Sequence, residues 1–184
     1  MVRDADERIH EAVEATVLKV FVCGPAVLNS DPTDSLPADK RLRRSVTRRI
    51  REKGSVVIWG EHLTEGESKE GSTEIFDDAA KEIHFAVTAA DLIIIFPNSP
   101  GSWAELGAFS VHEDIAPKML VFFDDKLKTS TGFVTVAVRK AAEDRDAKIF
   151  FMDYEKEDAI WEEIQKIFLR KRRNRVISLT NVKQ

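Results

Sequence analysis

Cysteine is almost missing from this chain. Cys23 stands alone in 184 residues, which excludes an intramolecular disulfide and favours a reducing compartment. The four histidines, His10, His62, His84 and His112, are scattered. No Cys/His spacing suits a zinc site, so neither a metal nor another cofactor is expected. Long hydrophobic runs are missing too; the longest are strand-sized, far short of the ~20 residues of a membrane span. The first residues, Met-Val-Arg-Asp-Ala-Asp-Glu-Arg, are polar and acidic, unlike a signal peptide. No charge of one sign dominates. The net charge is -4, so nothing global argues for a nucleic-acid or membrane surface. A soluble, cytoplasmic protein with no membrane partner is expected.

What is present is ordinary for a globular domain: 43% hydrophobic and 33% charged residues. The length suits one domain over residues 1–184 with a proper core, about 17–172, and no internal repeat is visible. A charged arm, residues 4–16, reads as a short helix. Val17–Cys23 is rich in β-formers and stops at Gly24-Pro25. After a polar loop a helix covers 39–53, with Asp39 or Ser35 as its cap and Gly54 ending it. Ser55–Trp59 is the second strand, and Gly60–Ser72 a polar loop. A helix over 73–89 places Ile75, Ala79, Ile83 and Val87 on one face. Leu92–Phe96 is the third strand, followed by a helix from about Ser102 to His112. Lys118–Phe123, a helix over about 131–143, Lys148–Met152 and a helix over 155–172 complete the order. The tail Arg170–Arg175 is basic and precedes an apolar stretch, Val176–Leu179.

Strands alternate with helices throughout. The third and fourth strands are continuously apolar, as strands covered on both faces are. The expectation is a three-layer α/β sandwich around a five-stranded parallel sheet, flavodoxin/Rossmann-like. In such sheets ligands bind beyond the carboxyl ends of the strands.

Three loops at those ends could carry chemistry. Gly24-Pro25 allows close backbone approach, or is a simple turn. It opens neither a G-x-G-x-x-G fingerprint nor a P-loop. Glu61 follows the second strand and is a ligand contact or a solvated loop carboxylate. Trp59 reads as core. The third loop, Asn98-Ser99-Pro100-Gly101-Ser102, leads into Trp103-Ala104-Glu105-Leu106-Gly107. Ser102 as N-cap with Glu105 three residues on has capping-box spacing, so Glu105 could simply bond the backbone. Against that, Gly101 and Ser102 leave a helix N-terminus open to an anionic or hydroxyl-bearing ligand. Ala104, Gly107 and Ala108 read as a face packed close on the sheet. A first-turn carboxylate is expected to be kept ionised by the helix dipole. On the preceding helix Asp78 and Glu82 are four apart and share a face. Asp91 reads as structural.

The stretch Ala90–Pro97, followed by Ser99-Pro-Gly-Ser-Trp-Ala-Glu-Leu-Gly-Ala-Phe109, resembles the nucleoside 2-deoxyribosyltransferase superfamily. The Ser-Pro-Gly-Ser-x-Ala-Glu-Leu-Gly version is similar to the deoxyribosyltransferase-like effectors of anti-phage systems, including those of retrons. Phe21-Val-Cys-Gly-Pro25 and Trp59-Gly-Glu61 fit that type, and the resemblance covers roughly residues 17–125. It implies Glu105 as catalytic nucleophile at the anomeric carbon of a nucleoside, a nucleotide or NAD. It implies Gly24, Pro25, Glu61, Asp78 or Glu82, Asn98, Ser99, Gly101 and Ser102 as substrate contacts, and a homodimer. The transferases carry an acid in the loop where this chain has Asn98 and Ser99, so hydrolysis fits as well as transfer. A nucleotide-sensing module without turnover is the alternative. A phosphoribohydrolase needs Pro-Gly-Gly-x-Gly-Thr, which is absent. A receiver-type phosphoacceptor does not suit a strand ending in Phe96-Pro97. The basic tail is a solvated helix end or a surface for a nucleic-acid or protein partner.

Overall fold

The computed structural model describes residues 5–28, 30–32, 35–64 and 78–181. Five strands form one parallel sheet: β1 (Lys19–Cys23), β2 (Val56–Ile58), β3 (Leu92–Ile95), β4 (Met119–Asp124) and β5 (Lys148–Met152), in the order β2-β1-β3-β4-β5. The helices are α1 (Ala5–Ala15), α2 (Ala38–Glu52), α3 (Gly60–Thr64), α4 (Asp78–Thr88), α5 (Pro100–Ser110), α6 (Phe133–Glu143) and α7 (Glu157–Asn181). This is the expected α/β sandwich, in flavodoxin-like strand order.

The pleat sorts each strand's side chains between two cores. Val20, Val22, Leu92, Ile94, Leu120 and Phe122 meet Leu42, Val46 and Ile50 of α2 and Ile160, Ile164 and Phe168 of α7. Phe21, Cys23, Ile93, Ile95, Val121 and Phe123 face Ala86 of α4, Leu106 and Phe109 of α5 and Ala142 of α6. Each fully buried Ile or Phe contributes about 1.5–3 kcal/mol, so β1, β3 and β4 are held rigidly. Register pairs Phe21 with Ile93 and Cys23 with Ile95. The loops leaving β1 and β3 turn to opposite faces, toward α2 and α5. A crevice opens between them at the carboxyl edge of the sheet.

Several local expectations are corrected. Neither Asp39 nor Ser35 caps α2; Pro37 occupies the cap position without a side-chain bond. Asp39 instead accepts from Asn98 Nδ2 at 2.6 Å. Gly54 does end the helix, in the left-handed region at φ 75°. A short helix, α3, replaces loop at Gly60–Thr64. The expected helix over 73–89 is described from Asp78; Ile75 and the rest of 73–77 lie outside the described residues.

The basic run is not a tail. α7 continues through it to Asn181, because two of its arginines are bonded into the fold. Arg172 is 2% exposed. It donates to the carbonyls of Glu14 and Lys53 and to Ser55 Oγ, tying α1 and the end of α2 to α7. Arg175 grips both oxygens of Asp91 at 2.7 and 2.8 Å, while Asp91 accepts from the Lys19 N–H. Asp91 is structural, as read. Among the described residues no helix is long and apolar enough to cross a membrane.

Candidate active site

The segment after β3 folds differently in detail from its sequence reading. Pro100 takes the first position of α5, where its lack of an N–H costs nothing. Ser99 is the N-cap: its hydroxyl accepts from Ser102 N at 3.2 Å, and Ser102 Oγ accepts from Ser99 N at 3.0 Å. The capping box is thus Ser99/Ser102, not Ser102/Glu105. Glu105 lies one turn deeper and makes no cap. Ala104 and Ala108 do not pack on the sheet either; they are exposed, and Leu106, Phe109 and Ser102 are buried in their stead.

The Glu105 carboxyl faces a cavity of about 360 Å³. Gly24 and Ala26 line it from the loop after β1, Arg43 from α2, Gly60 and Glu61 from α3, and Glu82 from α4. Ser99, Gly101 and Ser102 complete it. A Cβ on Gly60 would overlap Glu82 Oε1 and sit 3.3 Å from Glu105 Oε1. Glycine there lets two carboxyls converge over bare backbone. Beneath them the buried Cys23 thiol donates to Glu105.

This neighbourhood overturns the expectation of an ionised Glu105. Its carboxyl is pushed up to about 8. Burial is the first cause and the charge of Glu82 the second; Arg43 and the Cys23 hydrogen bond oppose them. The helix dipole, strongest in the first turn, does not reach far enough to win. Burial also raises the Cys23 thiol well above its ordinary value, with Glu105 adding to it.

One cation organises the floor. Arg43 is 1% exposed, yet its guanidinium binds both Glu61 oxygens, at 2.8 and 2.9 Å. It also donates to the carbonyls of Pro25 at 3.0 Å and Val22 at 3.1 Å. Its charge lies over the Trp59 ring, 4.8 Å from the centroid. Trp59 is core, as read, and donates to Thr47 Oγ1 at 3.0 Å. A buried guanidinium needs such partners because its desolvation costs several kcal/mol.

Of the residues singled out by sequence, Glu105, Gly24, Glu61, Glu82, Ser99, Gly101 and Ser102 come together. Two do not line the cavity. Asn98 is turned to Asp39, and Pro25 contributes its carbonyl to Arg43. The side chain of Asp78 lies outside the described residues. Arg43, Gly60, Ala26 and Cys23 were missed. Arg43 had a signal: it lies on the same helical face as Val46, Thr47 and Ile50, so a charge was headed inward. Gly60 had none. Among the described residues no cluster of His, Cys, Asp and Glu could hold a metal ion.

Fold and site define a class: a flavodoxin-like α/β protein with a carboxylate-lined cavity at the β1/β3 crevice. Within it the chain belongs to a known family. Residues 39–183 match the family described as STM3845 retron effector protein. The chain is also 48% identical over 46 residues to a retron Ec86 protein of Escherichia coli, provisionally named a ribosyltransferase/DNA-binding protein. That match spans 25% of this chain and 15% of the relative.

Proposed function

We propose that this retron effector cleaves an N-glycosidic bond in a nucleoside, a nucleotide or NAD, by hydrolysis or transfer, in anti-phage defence. The observation that carries the reading is the Glu105–Glu82 pair over Gly60, walled by Arg43–Glu61 and by the cap of α5. It is the site that the resemblance to nucleoside 2-deoxyribosyltransferases implies. The ribosyltransferase part of the relative's name points to the same chemistry.

Burial and the charge of Glu82 keep the proton on Glu105 near neutral pH. As positive charge develops at the anomeric carbon, the ionised form is drawn onto Glu105 and the proton passes to Glu82. Glu105 bonds to that carbon as the bond to the base breaks. The base of a nucleoside or nucleotide leaves with the electron pair and takes the proton from Glu82; the cationic nicotinamide of NAD leaves as a neutral base with the pair and needs no proton. Water or a second acceptor then attacks the anomeric carbon of the glycosyl ester, gives up its proton to ionised Glu82 (or to solvent where Glu82 has kept its own), and returns the Glu105 carboxylate. In a homodimer, which the resemblance implies, a neighbouring subunit would complete the site.

The test is to incubate the protein with nucleosides, nucleotides and NAD and to follow free base by chromatography. Base release by the wild type and none by Glu105→Ala is expected. No release from any substrate, or equal release by the variant, overturns the proposal. A second reading, nucleotide sensing without turnover, draws on Asn98, which stands where the transferases carry an acid and is bonded to Asp39. Calorimetric binding of a nucleotide without base release would favour it.

A further inference from the structure

α2 carries Lys40 and six arginines against two acids, Asp39 and Glu52, in a chain whose net charge is -4. Three of these cations are paired within the fold: Arg41 with Glu155 and Glu157, Arg43 with Glu61, and Arg49 with Asp158. Arg44, Arg48 and Arg51 recur at helical spacing and share one outward face. They line a single cleft of about 370 Å³ with Thr47, Glu52 and Trp59.

The outer two arginines are weakly held. Arg48 meets Glu52 at 3.8 Å, with both side chains more than 60% exposed (68% and 62%), and such exposed pairs contribute little. Arg51 lies over the Trp59 ring, 5.8 Å from its centroid, and forms no ion pair among the described residues. Arg44 donates to the carbonyls of Leu28 at 2.6 Å and Asp31 at 2.7 Å, which pins it at the head of the cleft.

We propose that this face of α2 binds the phosphodiester backbone of a nucleic acid. Arg44 is bonded within the fold; Arg48 and Arg51 are separated by roughly 4.5 Å of helix rise, and their long side chains reach neighbouring phosphates of one strand. Guanidinium forks match phosphate oxygens bidentately. Contacts to phosphate fix position without reading sequence, so binding is sequence-independent. The inference does not rest on the chemistry of Glu105.

The basic run of α7 fits such a partner less well. Arg172 is buried and Arg175 is clamped on Asp91. Lys171 shares its cleft with Lys118, Arg175 and Asp91, and Lys118 is bonded to the carbonyls of Ala86 and Val87.

The experiment is fluorescence anisotropy of a labelled single-stranded DNA oligonucleotide with the full chain across a salt series. Arg48→Ala/Arg51→Ala is expected to lose at least about tenfold in affinity and to flatten the log–log salt slope by about 0.7 for each contact removed. Arg48→Lys/Arg51→Lys keeps most of the binding, which separates lost contacts from lost folding. Lys171→Ala/Arg173→Ala binds as wild type. Wild-type affinity in the Arg48/Arg51 alanine variant overturns the proposal. So does a loss confined to the Lys171/Arg173 variant. Equal affinity of the wild type for an acidic peptide of matching charge also overturns it, in favour of a protein partner.

Discussion

The carboxyls of Glu82 in α4 and Glu105 in α5 both close on the backbone of Gly60, where an added Cβ would overlap Glu82 Oε1 and lie 3.3 Å from Glu105 Oε1. Three separate elements make this arrangement, and none of the three residues suffices alone. Burial, and then the charge of Glu82, hold a proton on Glu105 well above the ordinary carboxylate range. Such a pair is able to supply both an acid and a nucleophile.

In the proposed reaction Glu105 and Glu82 set the pH dependence. If one shared proton serves the leaving base, kcat/KM declines as pH rises above about 8. Glu82→Gln removes a charge that raises Glu105 and removes the acid. It is expected to lower the rate by about 10²–10⁴-fold and to abolish the alkaline decline. A wild-type profile that climbs through pH 8 would show Glu105 acting without a shared proton.

The same group leaves a mark on stability. In the unfolded chain Glu105 titrates near 4.5, in the folded chain near 8. Between those values the folded state binds the extra proton, so stability falls as pH rises through the window. Below it no penalty remains; above it the penalty is complete, on the order of a few kcal/mol at ~1.4 kcal/mol per unit. Glu105→Gln should therefore melt higher than wild type at pH 9 and close to it at pH 5. A constant difference between the two proteins across that range would contradict this account.

Gly60 and Gly101 make a matched pair of tests. Gly60→Ala forces a methyl into Glu82 and against Glu105. Displacing reacting groups by about 1 Å costs up to roughly 10²-fold, so kcat/KM should drop between about tenfold and hundredfold with little change in Tm. At Gly101 nothing lies within 4 Å of an added Cβ. Gly101→Ala should keep the Tm, and a rise in KM would place the ligand over the start of α5. Full activity in Gly60→Ala would remove the geometric basis of the carboxyl pair.

Much of the fold was legible because it is written locally. Leu92–Ile95 and Met119–Phe123 are unbroken apolar runs, and such runs flanked by helices predict a buried parallel sheet. Glu105 was legible through its place after the β3 loop. Its cap was misread by three residues, because Ser99 and Ser102 both satisfy the cap pattern and only the path of the backbone chooses between them. α7 was cut short for a similar reason. Arg170–Arg175 looks solvated in sequence, while Ser55, Lys53, Glu14 and Asp91 supply the partners that carry the helix onward.

The sequence by itself determined the order of elements, the parallel sheet and the loop that presents Glu105. Each follows from apolar spacing within a dozen residues, and burial of those side chains drives the rest. Only the tertiary structure decided what surrounds the carboxyl. Arg43, Gly60, Glu82 and Glu105 come from four elements and line one cavity, with the Cys23 thiol of a fifth bonded to Glu105. Protonation, charge pairing and close approach depend on distances between them and on exclusion of water. Neither quantity exists until the chain has closed.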